Sequence, residues 1–212
     1  MRSHTLSRTQ FHRILLTAAL VAGALACRYI AHTDIPILCS NTANFIRFFL
    51  YIGLFSVWGL SVRRRVILSV PRQLLVAVSL FMILWLVIRE YRWHLIFDPD
   101  IGRWLWYSYY IPLLFIPYLA FLVSLSLGRD GSMRLSEPIL ATTLIPAGLA
   151  ILVITNDVHQ WVFRFPEEAR VWSEDSYAYG PLFAVIFAWN MLISLVTLAI
   201  LIGKCRIPPS KR

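Results

Sequence analysis

Apolar and polar residues fall in blocks along this chain. Six apolar stretches, approximately 14–31, 45–62, 74–88, 104–127, 138–154 and 181–202, are separated by polar connections. A helix rises about 1.5 Å per residue, so about 20 residues cross the roughly 30 Å of a bilayer's hydrocarbon. The first, second, third and fifth stretches are slightly short, but Arg13, Arg28, Arg47 and Arg89 flank them. Such side chains lend their methylenes to the apolar thickness and keep their charge in water. Hydrocarbon offers no water to backbone groups, and these blocks lack the strict alternation of membrane strands, so each block reads as a helix. The pattern predicts an all-α polytopic membrane protein: one membrane domain over residues 1–212, a bundle of about six transmembrane helices.

The longest polar interruption is 155–180, TNDVHQWVFRFPEEARVWSEDSYAYG. Within it Trp161, Phe163 and Phe165 alternate with Val162 and Arg164, which is a strand period. Pro166-Glu167-Glu168-Ala169 reads as a turn, after which Val171 and Trp172 resume an apolar run. This predicts a short β-hairpin-like extracytoplasmic loop across the mouth of the bundle. Pro112 and Pro117 in the fourth block and Pro146 in the fifth predict bends, because proline removes a backbone donor. Ala18, Ala22 and Ala26, with Gly23 beside them, form a small-residue stripe on which another helix can approach closely.

Composition agrees: the 212 residues are 58% hydrophobic, with a mean hydropathy of +0.67. Net charge is +9, yet the basic residues sit in short segments beside apolar blocks, which marks membrane topology and contact with anionic lipid, not nucleic acid. Thirteen of the twenty Lys and Arg residues lie in the N-terminal tail, the second and fourth connections and the C-terminal tail. By the positive-inside rule that side is cytoplasmic, so both termini are inside and 155–180 is outside. Arg63, Arg64 and Arg65 are the expected contact with anionic headgroups. The basic start, apolar middle and Ala24–Cys27 suggest a signal peptide, but five further blocks follow and Arg28 comes directly after Cys27, so an uncleaved first helix is expected. Cys27, Cys39 and Cys205 match no zinc motif; Cys27 and Cys39 share a side and are either a disulfide or two thiols.

The fourth block opens on Trp104-Leu105-Trp106-Tyr107-Ser108-Tyr109-Tyr110. Trp104, Trp106, Tyr107, Tyr109 and Tyr110 are the expected interfacial aromatic belt, since rings with a polar edge favour the headgroup layer. Asn156, Asp157, His159, Gln160 and Trp161 stand where the fifth block leaves the membrane. Two readings apply to them: a hydrogen-bonded corner that anchors the loop, or a polar pocket that meets a small ligand, a proton or an ion. His32, His94, Asp34, Asp98 and Asp100 share that side, but no pair has a recognised metal-ligand spacing, so no metal and no other cofactor is expected.

The stretches WLWYSYYIPLLFIPYLAFLVSLSLG (Trp104–Gly128), TNDVHQWVFRFP (Thr155–Pro166) and KCRIP (Lys204–Pro208), with the arginine run Arg63–Arg65 and YAYGP (Tyr177–Pro181), follow one another in a characteristic order. In this the chain resembles the histidine-kinase N-terminal seven-transmembrane region, the membrane sensor module of bacterial sensor histidine kinases. The resemblance implies a sensory module of the bacterial cytoplasmic membrane whose downstream partner is a kinase domain in the same or a separate chain. It leaves a homodimer open. The chain reads as a form lacking the kinase core: no phosphoacceptor helix or glycine-rich ATP lid is present, so no enzymatic activity is expected of it. The alternative reading is a small transporter or permease subunit. Transport usually needs an acid or histidine near the membrane midplane, and the blocks carry none there; Asn190 is their most polar deep residue.

Overall fold

The computed structural model describes residues 8–32, 40–95, 98–128, 139, 141–165 and 177–205. The chain divides into two compact units, Met1–Trp58 and Gly59–Arg212. Helix α1 spans Arg8–His32 and α2 spans Ser40–Arg65, crossing from the first unit into the second. In the first unit Gly23 faces Leu50, whose Cδ1 would lie 3.3 Å from an added Cβ. Ala18, Ala22 and Ala26 of the same small-residue stripe are exposed.

In the second unit α3 spans Ser69–Glu90 and runs on into a π-turn at Tyr91–Leu95. The sequence pattern ends this block at Ile88. The helix continues past it, with Arg89 near the Trp85 ring and Arg92 near the Trp93 and Tyr109 rings. The continuation buries Glu90, whose carboxylate lies 3.2 Å from His94 Nδ1. α4 spans Pro99–Ser108 and α5 spans Tyr110–Ser126. Asp98 caps α4 by accepting from the Asp100 and Ile101 amides, and Pro99 takes the first helical position, where its missing donor costs nothing. The expected fourth span is therefore two helices. Pro112 removes one amide from the ladder and crowds the Ser108 carbonyl, and the interruption falls at Tyr109. Pro117, by contrast, lies inside a continuous α5. Pro146 falls in the first turn of α6, Leu144–Ile154, where proline is tolerated.

The one-turn helix α7 spans Asn156–His159, and α8 spans Pro181–Cys205. Four helical segments are long and apolar enough to cross a membrane among the described residues: Asn44–Arg65, Ser69–His94, Pro99–Ser126 and Pro181–Cys205. The first apolar block lies within α1, Arg8–His32, and the fifth forms the shorter apolar helix Leu144–Ile154. Buried polar residues Ser124, Ser126 and Thr197 bond carbonyls of their own helices. Large apolar side chains such as Leu80, Phe187 and Leu195 face outward. That inside-out distribution suits a solvent of lipid tails.

Two short strands, β1 (Phe163–Arg164) and β2 (Ala178–Tyr179), pair antiparallel with Phe163 opposite Tyr179. The strand partner among the described residues is Ala178–Tyr179; the run at Val171 and Trp172 lies outside the described residues, as does all of 166–176. Gly180 N–H donates to Val162 O at 2.8 Å, and Leu182 N–H to Trp161 O at 3.1 Å, so the ladder leads straight into α8.

A Cβ on Gly180 would collide with the Trp161 carbonyl, its carbon only 2.6 Å away. Gly180→Ala must therefore push the hairpin off α8. We expect a loss of about 1–3 kcal/mol, the usual cost of overpacking. Chemical unfolding in detergent micelles, followed by tryptophan fluorescence, measures it; Gly53→Ala, with open space at its Cβ, is the control.

Candidate functional site

The corner after α6 is assembled around one amide. Thr155 closes α6 by donating its hydroxyl to Ile151 O at 2.8 Å. One turn later Gln160 adopts the left-handed conformation, φ 51°, and its N–H donates to Asn156 O at 2.7 Å. α6 ends at Ile154, and the left-handed reversal falls at Gln160. That conformation costs a non-glycine residue about a kcal/mol. It is held by Gln160 Oε1, which accepts from Phe165 N–H at 3.3 Å.

Asn156 is fully buried. Its Oδ1 accepts from both Val162 N–H and Phe163 N–H at 3.0 Å. Its Nδ2 donates to Phe163 O at 2.9 Å and to the Tyr107 hydroxyl at 3.3 Å. One side chain thus satisfies three backbone groups of the incoming strand and reaches α4. Each such group left unpaired would cost about 1–3 kcal/mol.

Tyr107, also fully buried, donates its hydroxyl to Asp157 Oδ1 at 2.6 Å. The other carboxylate oxygen of Asp157 lies 3.3 Å from Arg103 Nη2, which also bonds Asp100 Oδ1 at 3.1 Å. Asp100–Arg103–Asp157 is therefore a charged rim over a buried Tyr–Asn pair. The Asp157 side chain keeps 28% of its exposure, so it is open to solutes while held from beneath.

His159 is engaged at both ring nitrogens. Nδ1 accepts from Trp161 N–H at 3.0 Å, which leaves Nε2 to carry the proton and donate to Leu152 O at 3.1 Å. Trp161 itself is exposed, its ring 5.3 Å from that of His159. Of the five corner residues, then, Asn156, His159 and Gln160 hold backbone, while Asp157 and Trp161 present their side chains outward.

The tryptophan–tyrosine segment divides. Trp104 is exposed, Tyr109 and Tyr110 are half-buried, and Trp106 and Tyr107 lie inside the protein. Trp106 packs on Phe163 with ring centroids 4.4 Å apart and on Tyr177 at 4.8 Å; Tyr107 stacks on Phe163 at 6.3 Å. Tyr179 stacks on Phe183 of α8 at 4.1 Å. These rings form the floor beneath the hairpin. Arg63, Arg64 and Arg65 are exposed in the last turn of α2, where a helix favours positive charge. Among the described residues no three His, Cys, Asp or Glu side chains converge on a point that could hold a metal ion.

Sequence reasoning missed Arg103 and Tyr107 as partners of the corner. The separations, 54 residues for Arg103–Asp157 and 50 for Tyr107–Asp157, leave no local signal. The Glu90–His94 pair did leave one, a four-residue spacing that places both side chains on one helical face.

Replacing Asn156 with alanine should strand the Val162 and Phe163 amides and loosen the hairpin. We expect a loss of at least about 2 kcal/mol from these groups alone. Hydrogen exchange at the two amides should accelerate by more than tenfold, while amides of α5 keep their protection. Unchanged exchange at Val162 and Phe163 would remove Asn156 from this role.

A family model described as the N-terminal 7TM region of histidine kinase matches residues 44–211. Comparisons with curated proteins and with solved structures each return no match. The matched region includes α3, both halves of the fourth span, the corner, the hairpin and α8. This multi-pass membrane chain belongs to the family of N-terminal 7TM regions of histidine kinases.

Proposed function

We propose that the chain is the sensory input module of a bacterial signalling histidine kinase and that the corner is where its stimulus acts. Membership of the family supports a kinase as the downstream partner, and a sensory region has no catalytic task of its own. The observation that carries the reading is the charged rim of Asp100, Arg103 and Asp157, joined through Tyr107 and Asn156 to the hairpin and to α4. A small polar ligand at the rim competes with Tyr107 and Arg103 for the Asp157 carboxylate. The balance between two arrangements of the corner then shifts, and the helices rooted in it follow. Arg63, Arg64 and Arg65 rest on anionic lipid of the cytoplasmic membrane, both termini are cytoplasmic, and the module works as a homodimer.

Orientation is tested by thiol labelling. Val158, the most exposed side chain of the corner, is replaced by cysteine in a background where Cys27, Cys39 and Cys205 are serine; a second protein keeps only Cys205. A membrane-impermeant reagent applied to intact cells should label the first and not the second. Labelling of Cys205 in unbroken cells reverses the topology.

The sensory role is tested in the module joined to its kinase, with signalling output followed across pH, salt and small polar solutes. Asp157→Asn keeps an acceptor for Tyr107 but removes the charge facing Arg103. A partly exposed pair of this kind contributes about 0–1 kcal/mol. At the upper end that changes a two-state ratio several-fold. We expect Asp157→Asn to displace the response threshold with the hairpin intact. His159→Gln cannot reproduce both ring bonds and should loosen the hairpin as well. An Asp157→Asn protein that signals like wild type under every condition makes the corner an anchor only.

A further inference from the structure

At the end of α5 remote from the corner, a helix of one segment is closed by a side chain of another. The last turn of an α-helix has carbonyls without intrahelical partners. In α5 the Ser124 and Ser126 hydroxyls turn back to Phe121 O and Val123 O, and Leu127 N–H also bonds Val123 O, so none of these covers the final carbonyls. Gly128, at φ +76°, then turns the chain away. Into that opening α8 sends Lys204, whose Nζ donates to Ser124 O at 2.7 Å, to Leu125 O at 3.1 Å and to Leu127 O. The ammonium thus meets three carbonyls at the negative end of the helix dipole.

Two further facts give this contact a direction. α5 and α8 pack along one another. Both also begin at the corner: α5 follows α4, whose Tyr107 touches Asn156 and Asp157, and α8 follows Gly180, whose amide bonds β1's approach at Val162. The pair is therefore a parallel frame joined at both ends, by the corner and aromatic floor at one and by Lys204 at the other. From Pro181 to Lys204 is about 35 Å at 1.5 Å per residue.

We infer that Lys204 is the positioning residue that couples the corner to the C-terminal end of α8; this rests on the sensory reading above. With the ammonium seated, a change at the corner cannot let α8 slide independently of α5, and it reaches the end of α8 as a movement of the pair. Without it, that end is released and no longer follows the corner.

The test uses the full chain in phosphatidylethanolamine–phosphatidylglycerol vesicles. Spin labels sit on the native, exposed Cys205 and on Leu127→Cys, whose side chain is exposed, with Cys27 and Cys39 replaced by serine. Dipolar broadening between the labels reports whether the two helix ends stay together. Lys204→Met should reduce the broadening and raise mobility at Cys205, while Lys204→Arg, which can still donate to carbonyls, should preserve both. Asp157→Asn should alter the broadening in the Lys204 protein and leave it unaltered in Lys204→Met. Broadening that survives Lys204→Met, or an Asp157→Asn effect of equal size in both backgrounds, overturns the inference. Kinase output from the joined protein separates the two readings. If Asp157→Asn changes output while Lys204→Met still transmits that change, Lys204 is not the joint and the sensory role stands. If Asp157→Asn changes neither broadening nor output, the sensory role falls and the inference with it.

Discussion

The corner depends on the Asn156 side chain. A strand arriving at the end of a membrane helix brings backbone donors and acceptors into a buried place where water cannot serve them. Asparagine is suited to this because one planar group carries two donors and a carbonyl able to accept twice. Here the carbonyl oxygen accepts from Val162 and Phe163, and the amide nitrogen serves Phe163 O and the Tyr107 hydroxyl. Aspartate would lack the donors, and leucine would leave every partner unpaired. The left-handed Gln160 follows from the same requirement, since only a reversal at that point returns Val162 and Phe163 to the amide.

Around that amide the protein separates holding from presenting. The ring floor of Trp106, Tyr107, Phe163 and Tyr177 removes water from beneath the hairpin. Above it Asp157 remains accessible, yet is fixed by a hydrogen bond from below and by Arg103 at its side. A buried hydroxyl and a partly exposed guanidinium together fix the position of that charge. Glu90 and His94, an acid and an imidazole, lie 3.2 Å apart at the sheltered end of α3, where pairing offsets the cost of removing a carboxylate from water.

The helices themselves are held by other means. Tyr118 reaches the start of α6 and bonds Thr143 Oγ1 at 2.7 Å and Thr142 Oγ1 at 3.0 Å. Phe81 stacks on Phe115 between α3 and α5 at 5.5 Å. Gly59 lies so close to Ser79 that an added Cβ would sit 2.5 Å from its hydroxyl oxygen. Hydroxyl bonds, ring stacking and close approach at a small residue hold helices together where lipid tails give no hydrophobic drive for them to associate.

Local chemistry determined the helices, because lipid-sized apolar blocks leave the backbone no other way to satisfy its own hydrogen bonds. It also marked the corner, through the one polar interruption rich in acids and rings, and the motif order around it carried the family. Long-range contacts decided what each residue does there. Trp106 and Tyr107 have the composition of a surface belt, but the hairpin lands on them and buries them. The partner of β1 is Ala178–Tyr179 because Gly180 alone allows the close pass to the Trp161 carbonyl, a constraint that no alternation of residues encodes. Lys204 reads in sequence as one more positive charge beside a membrane span, and only the packing of α8 on α5 sets it against three open carbonyls. Period and composition act over a few residues, whereas these contacts join positions far along the chain, up to 50 residues apart for Tyr107 and Asp157 and 80 for Lys204 and Ser124.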